Sequence, residues 1–145
     1  MKKIIYLVFT LFIASCSHEP KPIDYGYEAC DFCEMTIVNP AFSAQAVSDK
    51  GKQYKYDAIE CMVNDLLQKE IEMAVIQVAD YSQPGTMVKV AEAAFIINDS
   101  IKSPMGANLA ALRKTDPAIK NSQGLQLDWS NLKLRFQDSV ITNNR

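Results

Sequence analysis

Apolar and polar positions in this 145-residue chain form three kinds of pattern. Ile4 to Ile13 is an apolar run broken only by Thr10 and preceded by Lys2 and Lys3. It is too short to span a bilayer comfortably and has the layout of a targeting segment covering 1–15. Further on, short strand-like stretches alternate with punctuation. Met35–Val38 and Phe42–Val47 are separated by Asn39-Pro40, and Asp49-Lys50-Gly51-Lys52 is a hairpin turn leading into a strand at Gln53–Tyr56. The period then changes. Ile59, Met62, Val63, Leu66 and Leu67 recur at helical spacing, which predicts a helix from about Ala58 to Lys69. Asp57 is its expected N-cap, with Glu60 three residues on as in a capping box. Met73–Ala79 returns to strand character.

The remainder repeats this order more loosely. Thr86–Val90 and Ala94–Asn98 read as strands, and Ser103-Pro104 supplies an N-cap and a first-turn proline for a helix through about Arg113. After a loop holding Asp116-Pro117 and Gly124, Asp128-Trp129-Ser130 starts a short turn and Leu132–Phe136 alternates like a strand. The segments Cys61–Leu66 and Met105–Ala110 are faintly alike. The expected fold class is α+β, with two halves of strand-strand-helix-strand type at 29–82 and 83–140 and a frayed tail at 141–145.

Composition narrows the setting. Ile13-Ala14-Ser15-Cys16 resembles a bacterial lipobox, which makes Cys16 the expected acylated first residue of the mature chain; the competing reading is an ordinary secretory signal with a chance cysteine. Residues 16–28 then read as a lipid-anchored tether, since Ser17–Tyr27 holds two prolines and little apolar periodicity. Eleven extended residues reach at most about 35–40 Å. The expected location is the cell envelope, on the periplasmic side and anchored to the outer membrane. Without 1–15 the chain has 13 basic and 17 acidic residues, a formal charge of −4. A weakly acidic protein of this kind is a poor nucleic-acid binder.

The chemistry concentrates in Cys30-Asp31-Phe32-Cys33-Glu34-Met35. On an extended strand Cys33 and Met35 leave the same face, and thiolate plus thioether is a soft set that suits Cu(I) rather than Zn(II). With Cys16 assigned to lipid, Cys30, Cys33 and Cys61 remain, an odd number for a purely structural disulfide scheme. Cys30 reads either as a further ligand or as a partner that closes a disulfide with Cys33. Cys61 lies on the predicted helix, where a small buried hydrophobe is the simpler reading. Met62, Met73 and Met87 read as packing, whereas Met105 stands in a polar Ser-Pro-Met-Gly turn and is a candidate third soft donor. The rival reading is a thiol-disulfide oxidoreductase using Cys30 and Cys33. It is disfavoured because Asp31 and Glu34 raise the cost of a thiolate and no helix start is predicted there. Zinc lacks a fourth ligand, since the sole histidine, His18, lies in the tether. Hydrolysis lacks a nucleophile with a histidine base, so no enzymatic activity is expected.

Taken together, the lipobox, Cys-x-x-Cys-x-Met followed by Thr-Ile-Val, Tyr56-Asp57-Ala58-Ile59-Glu60-Cys61-Met62 and Ser103-Pro104-Met105-Gly106 resemble the NosL family. These are lipoprotein copper chaperones that serve maturation of nitrous oxide reductase in denitrification. The resemblance runs from about Ala29 to Phe136. It implies a fold of two similar halves, with Cys33, Met35 and Met105 as Cu(I) ligands. It also implies copper-enzyme maturation machinery as partner, whether a membrane complex, nitrous oxide reductase itself, or both. One position departs from the family pattern, which commonly has glycine where this chain has Glu34.

Overall fold

The fold, taken from a computed structural model, is described for residues 17–143, with side chains through 138. The targeting segment, Cys16 and the last two residues lie outside the described residues. Strands β1 (Ala44–Ser48) and β2 (Gln53–Tyr56) form the expected hairpin, in register Ala44↔Tyr56 to Val47↔Gln53. Its turn relies on Gly51 at φ +79°, where an L side chain is strained. Helix α1 (Ile59–Gln68) and strand β3 (Met73–Ala79) follow, and β3 returns antiparallel to the other side of β1. Strand β4 (Met87–Lys89) pairs with β3 and completes a sheet ordered β2-β1-β3-β4. The stretch expected as the opening strand of a second half therefore closes the first sheet.

The second sheet is ordered β6-β5-β7, from β5 (Ala93–Ile97), β6 (Leu109–Arg113) and β7 (Leu125–Leu127). Short α2 (Ala118–Asn121) lies between β6 and β7, and α3 (Trp129–Asn143) ends the described chain. The fold is α+β. Each sheet has its first strand in the middle, its second strand on one side, and its third on the other after a helix.

The loop expected around Asp116-Pro117 and Gly124 holds α2 and β7, and two expected elements of the second half change type. Leu109–Arg113 is strand β6 rather than the end of a helix. Gly106 at φ +78° and Asn108 at φ +56° are both left-handed, so no helix can run through them. Leu132–Phe136 is helical rather than extended. Asp128 accepts a hydrogen bond from the Asn131 amide (2.8 Å), an N-cap that starts α3. Trp129, Leu132 and Phe136 then fall on one face, packed on the core.

One core joins both halves. Ile59, Met62 and Val63 of α1 pack with Ala44, Tyr56, Val78, Phe95, Leu109 and Leu132, all fully buried. Phe95 also meets Trp129 at a ring-centroid distance of 5.8 Å. The Tyr56 hydroxyl donates to Asp65 (2.7 Å), tying β2 to α1 beneath the surface. Asp57 does not cap α1: its Oδ1 accepts from the Val38 amide (3.3 Å), and no side chain caps the helix.

Residues 17–28 follow the outer edge of β2. Gln53 Oε1 accepts from the Lys21 amide (3.0 Å), Lys55 Nζ donates to Pro22 O (2.8 Å) and to Glu28 (2.6 Å), and Tyr25 meets Ser43 (2.8 Å). The stretch read as a tether thus has a bound course along the domain.

Candidate metal centre

The Cys-x-x-Cys-x-Met segment is a tight hairpin rather than an extended strand. Ala29 and Thr36 form a single antiparallel bridge, the Cys30 amide donates to Met35 O (2.8 Å), and the Glu34 amide donates to Cys30 O (3.0 Å). Glu34 closes the turn at φ +62°, the left-handed region in which glycine is favoured. Glu34 adopts this backbone at a cost that a glycine would not incur. Two reciprocal bonds dock the hairpin on β2. The Asp31 amide donates to Lys55 O (2.9 Å), and the Lys55 amide donates to Asp31 Oδ2 (2.7 Å).

Immediately after β2 the chain turns into α1, whose first turn carries Cys61. The sulfurs of Cys30, Cys33 and Cys61 all lie within 4.8 Å of one another. Cys30 and Cys61 are buried, Cys33 is half-buried, and all three are free thiols. Cys61, expected as a buried hydrophobe, is indeed fully buried, yet its sulfur belongs to this cluster. The hint in the sequence was the odd thiol count together with its place one turn after a strand.

The three sulfurs are not equivalent. The Cys61 thiol hydrogen-bonds to Cys30, and the amides of Cys33, Asp57 and Phe32 also point at the Cys30 sulfur. Together they outweigh burial and draw its pKa down to about 5. Cys61, as donor to Cys30 and buried, is pushed well up. Burial raises Cys33, against the Met35 amide directed at its sulfur. One thiolate and two thiols therefore share the site near neutral pH. Asp31 and Glu34 do not prevent that thiolate, because backbone amides and a neighbouring thiol stabilise it at short range.

Met35 and Met105 carry exposed side chains, 61% and 46%. Met35 adjoins the thiols through its backbone. Met105 sits in the 103–108 loop, which hangs from Glu60, the neighbour of Cys61. Ser103 Oγ donates to Glu60 Oε1, and the Ala107 amide also points at this carboxyl. His18 is remote from the cluster in the fold, bound to Asp49 O (2.7 Å) at the β1–β2 turn.

A family model for NosL matches residues 23–124. The chain belongs to the NosL family. Among solved structures, the crystal structure of the copper chaperone NosL from Shewanella denitrificans is similar, with a TM-score of 0.64 and 18% sequence identity, over 79% of this chain and 95% of that one. At that identity the likeness speaks to the fold. No curated protein matches the chain. The residues matched by the family model take in the thiol hairpin, the start of α1 and the 103–108 loop.

Proposed function

We propose that this NosL-family chain is a membrane-anchored Cu(I) carrier that gives up its ion for assembly of a copper enzyme, nitrous oxide reductase. The observation that carries this reading is the convergence of three cysteine sulfurs within 4.8 Å, on two elements that share β2 as their template. Sulfur donors without histidine suit Cu(I). A zinc site of this type would want a fourth ligand, and the sole histidine is held elsewhere. Cys33 is the half-buried member and so the one through which an ion enters and leaves. Cys30 and Cys61 stand behind it. Met35 and Met105 are neutral thioether donors exposed where an incoming partner meets the site. A carrier works by ligand exchange, with the partner's donor joining before the carrier's last sulfur departs. The partner is the maturation machinery of the copper enzyme.

The anchoring part of the reading rests on Cys16. The backbone of Ser17 lies against Gly51, 3.6 Å from where a Cβ on that residue would stand, at the β1–β2 turn. The thiol hairpin docks at Lys55, toward the other end of β2. A lipid on Cys16 would therefore set the turn end toward the bilayer and leave the thiols at the far end.

Titration of the reduced protein with Cu(I) and Zn(II), read by native mass spectrometry, tests the carrier. One Cu(I) per chain that zinc does not displace is expected, lost in Cys33→Ser and weakened in Cys30→Ser and Cys61→Ser. Zinc retained stoichiometrically against Cu(I) would refute it. For the anchor, Cys16→Ser should move the protein out of the membrane fraction with Cu(I) binding intact.

A further inference from the structure

Glu60 is a costly residue for its place in the fold. It is 2% exposed in the first turn of α1, its Oε2 has no hydrogen-bond partner among the described residues, and burial raises its pKa. A leucine there would cost the helix less, because a buried acceptor left unpaired loses its hydration without return. What the carboxyl does make is a set of bonds to one loop. Ser103 Oγ donates to Glu60 Oε1 and accepts in turn from the Leu109 amide (3.3 Å), while the Ala107 amide points at the same carboxyl. The loop's turn bond runs from the Gly106 amide to Ser103 O (3.0 Å), its far end is tied at Asn108, which accepts from the Asn98 amide (3.0 Å) and donates to Asp99 (3.3 Å), and Ser103 is the buried foot beneath Met105. Met105 stands at the crest, beside left-handed Gly106.

We propose that the Glu60–Ser103 pair is a clamp that presents Met105 to the copper ion, so that Glu60 and Ser103 are positioning residues of the site. This rests on the Cu(I)-carrier reading and goes beyond it by assigning two residues that bear no ligand atom. The geometry is direct. Glu60 is joined to Cys61 by one peptide bond, so the clamp fixes the methionine loop to the same turn of helix that carries a thiol. With the clamp in place the loop that carries Met105 is already anchored beside Cys61, so less loop entropy is lost when the thioether binds. With the clamp released, Met105 must be recruited from a loose loop.

A double-mutant cycle on the reduced full chain tests the clamp, using Cu(I) alone, a chromophoric Cu(I) chelator as competitor and the rate of transfer to that chelator. Ser103→Ala should weaken Cu(I) binding and speed its loss roughly tenfold, as outer-shell partners of metal sites commonly do. Met105→Ala should do the same, and the two together should be no worse than Met105→Ala alone. Ser103→Thr, which keeps the hydroxyl, should restore wild-type behaviour. X-ray absorption should count one sulfur fewer per copper in Ser103→Ala. A purely structural role would lower the melting temperature yet leave that sulfur count unchanged and the two substitutions additive, which would overturn the proposal. So would normal affinity in Ser103→Ala, or in Met105→Ala. If the wild-type chain fails to bind Cu(I) at all, the carrier reading itself falls, and the clamp with it.

Discussion

The three thiols differ in protonation, and that difference can be counted. Cys30, drawn down to about 5 chiefly by the Cys61 hydrogen bond, carries no proton near neutral pH. Cys33 and Cys61, raised by burial and by the Cys30 partnership respectively, keep theirs. If copper takes all three sulfurs as thiolates, it displaces two protons. Raising the pH then favours binding, by about 100-fold per pH unit, or about 2.7 kcal/mol, between roughly pH 6 and 8. Below pH 5 the slope should steepen toward three, because Cys30 must then lose its proton as well. A site in which Cys33 is the only thiolate, completed by Met35 and Met105, predicts one proton and about tenfold per unit, since thioethers carry none to lose. Competition against a chelator of known protonation, run anaerobically across that pH range, reads the slope. Calorimetry in two buffers of different ionisation heat gives the same count independently. A slope of one would refute the three-thiolate set. A slope of three would refute a pre-ionised Cys30.

Three further outcomes check the scaffold around the site. Glu34→Gly should stabilise the apo domain by about 1 kcal/mol, a few degrees in melting temperature, because it relieves a left-handed non-glycine residue, whereas Glu34→Val should destabilise it. Gly124→Ala should cost about 2–3 kcal/mol in denaturant melts, since at φ +119° a Cβ would stand 2.3 Å from Ile97 O. Asp128→Ala removes the α3 cap and should cost about 1 kcal/mol, restored in part by Asp128→Asn or Ser.

Much of the first half was legible because its signals are local and agree. The Asp49–Lys52 turn, the α1 stripe and the β3 run each specify one element, and the observed bounds lie within a residue or so of those expected. The second half was harder because its segments are short and their patterns ambiguous. Leu109-Ala110-Ala111-Leu112 is an apolar run that suits a helix by propensity and a strand by length. Its fate was decided by pairing with β5, where Phe95 sits opposite Ala111, and by the left-handed residues before it. Leu132, Leu134 and Phe136 alternate like a strand. Trp129 and Asp128, outside that window, make the segment a capped helix instead. The match between β2-β1-β3 and β6-β5-β7 depends on Leu109–Arg113 being a strand and on β7 (Leu125–Leu127), a three-residue strand in a stretch that the sequence presents as a loop.

The site shows the same division between what a motif states and what a fold adds. That Cys33 is a candidate was legible from its soft neighbourhood, although the segment is a hairpin rather than the extended strand that the Cys33–Met35 spacing assumed. Cys61 was not, because a cysteine on a buried helix face looks like packing, and only the course of the chain brings it to the hairpin. That course depends on β2. Lys55 holds Asp31 by both backbone groups, fixing Cys30 and Cys33 on one side. The residues that follow it, Tyr56, Asp57 and Ala58, lead directly into the turn of α1 that holds Cys61. Tyr56 then locks that helix to the strand through Asp65. Strand and helix are thus held at a fixed angle by a buried bond, and the hairpin is held by one main-chain bond to Lys55 O and one from the Lys55 amide to the Asp31 carboxylate. Sulfurs from sequence positions 31 apart are thereby preorganised before an ion arrives. Such a site spends little conformational entropy on binding, and under the proposed carrier reading the exposed Met35 and Met105, rather than the preorganised thiols, are the side chains left to tune release.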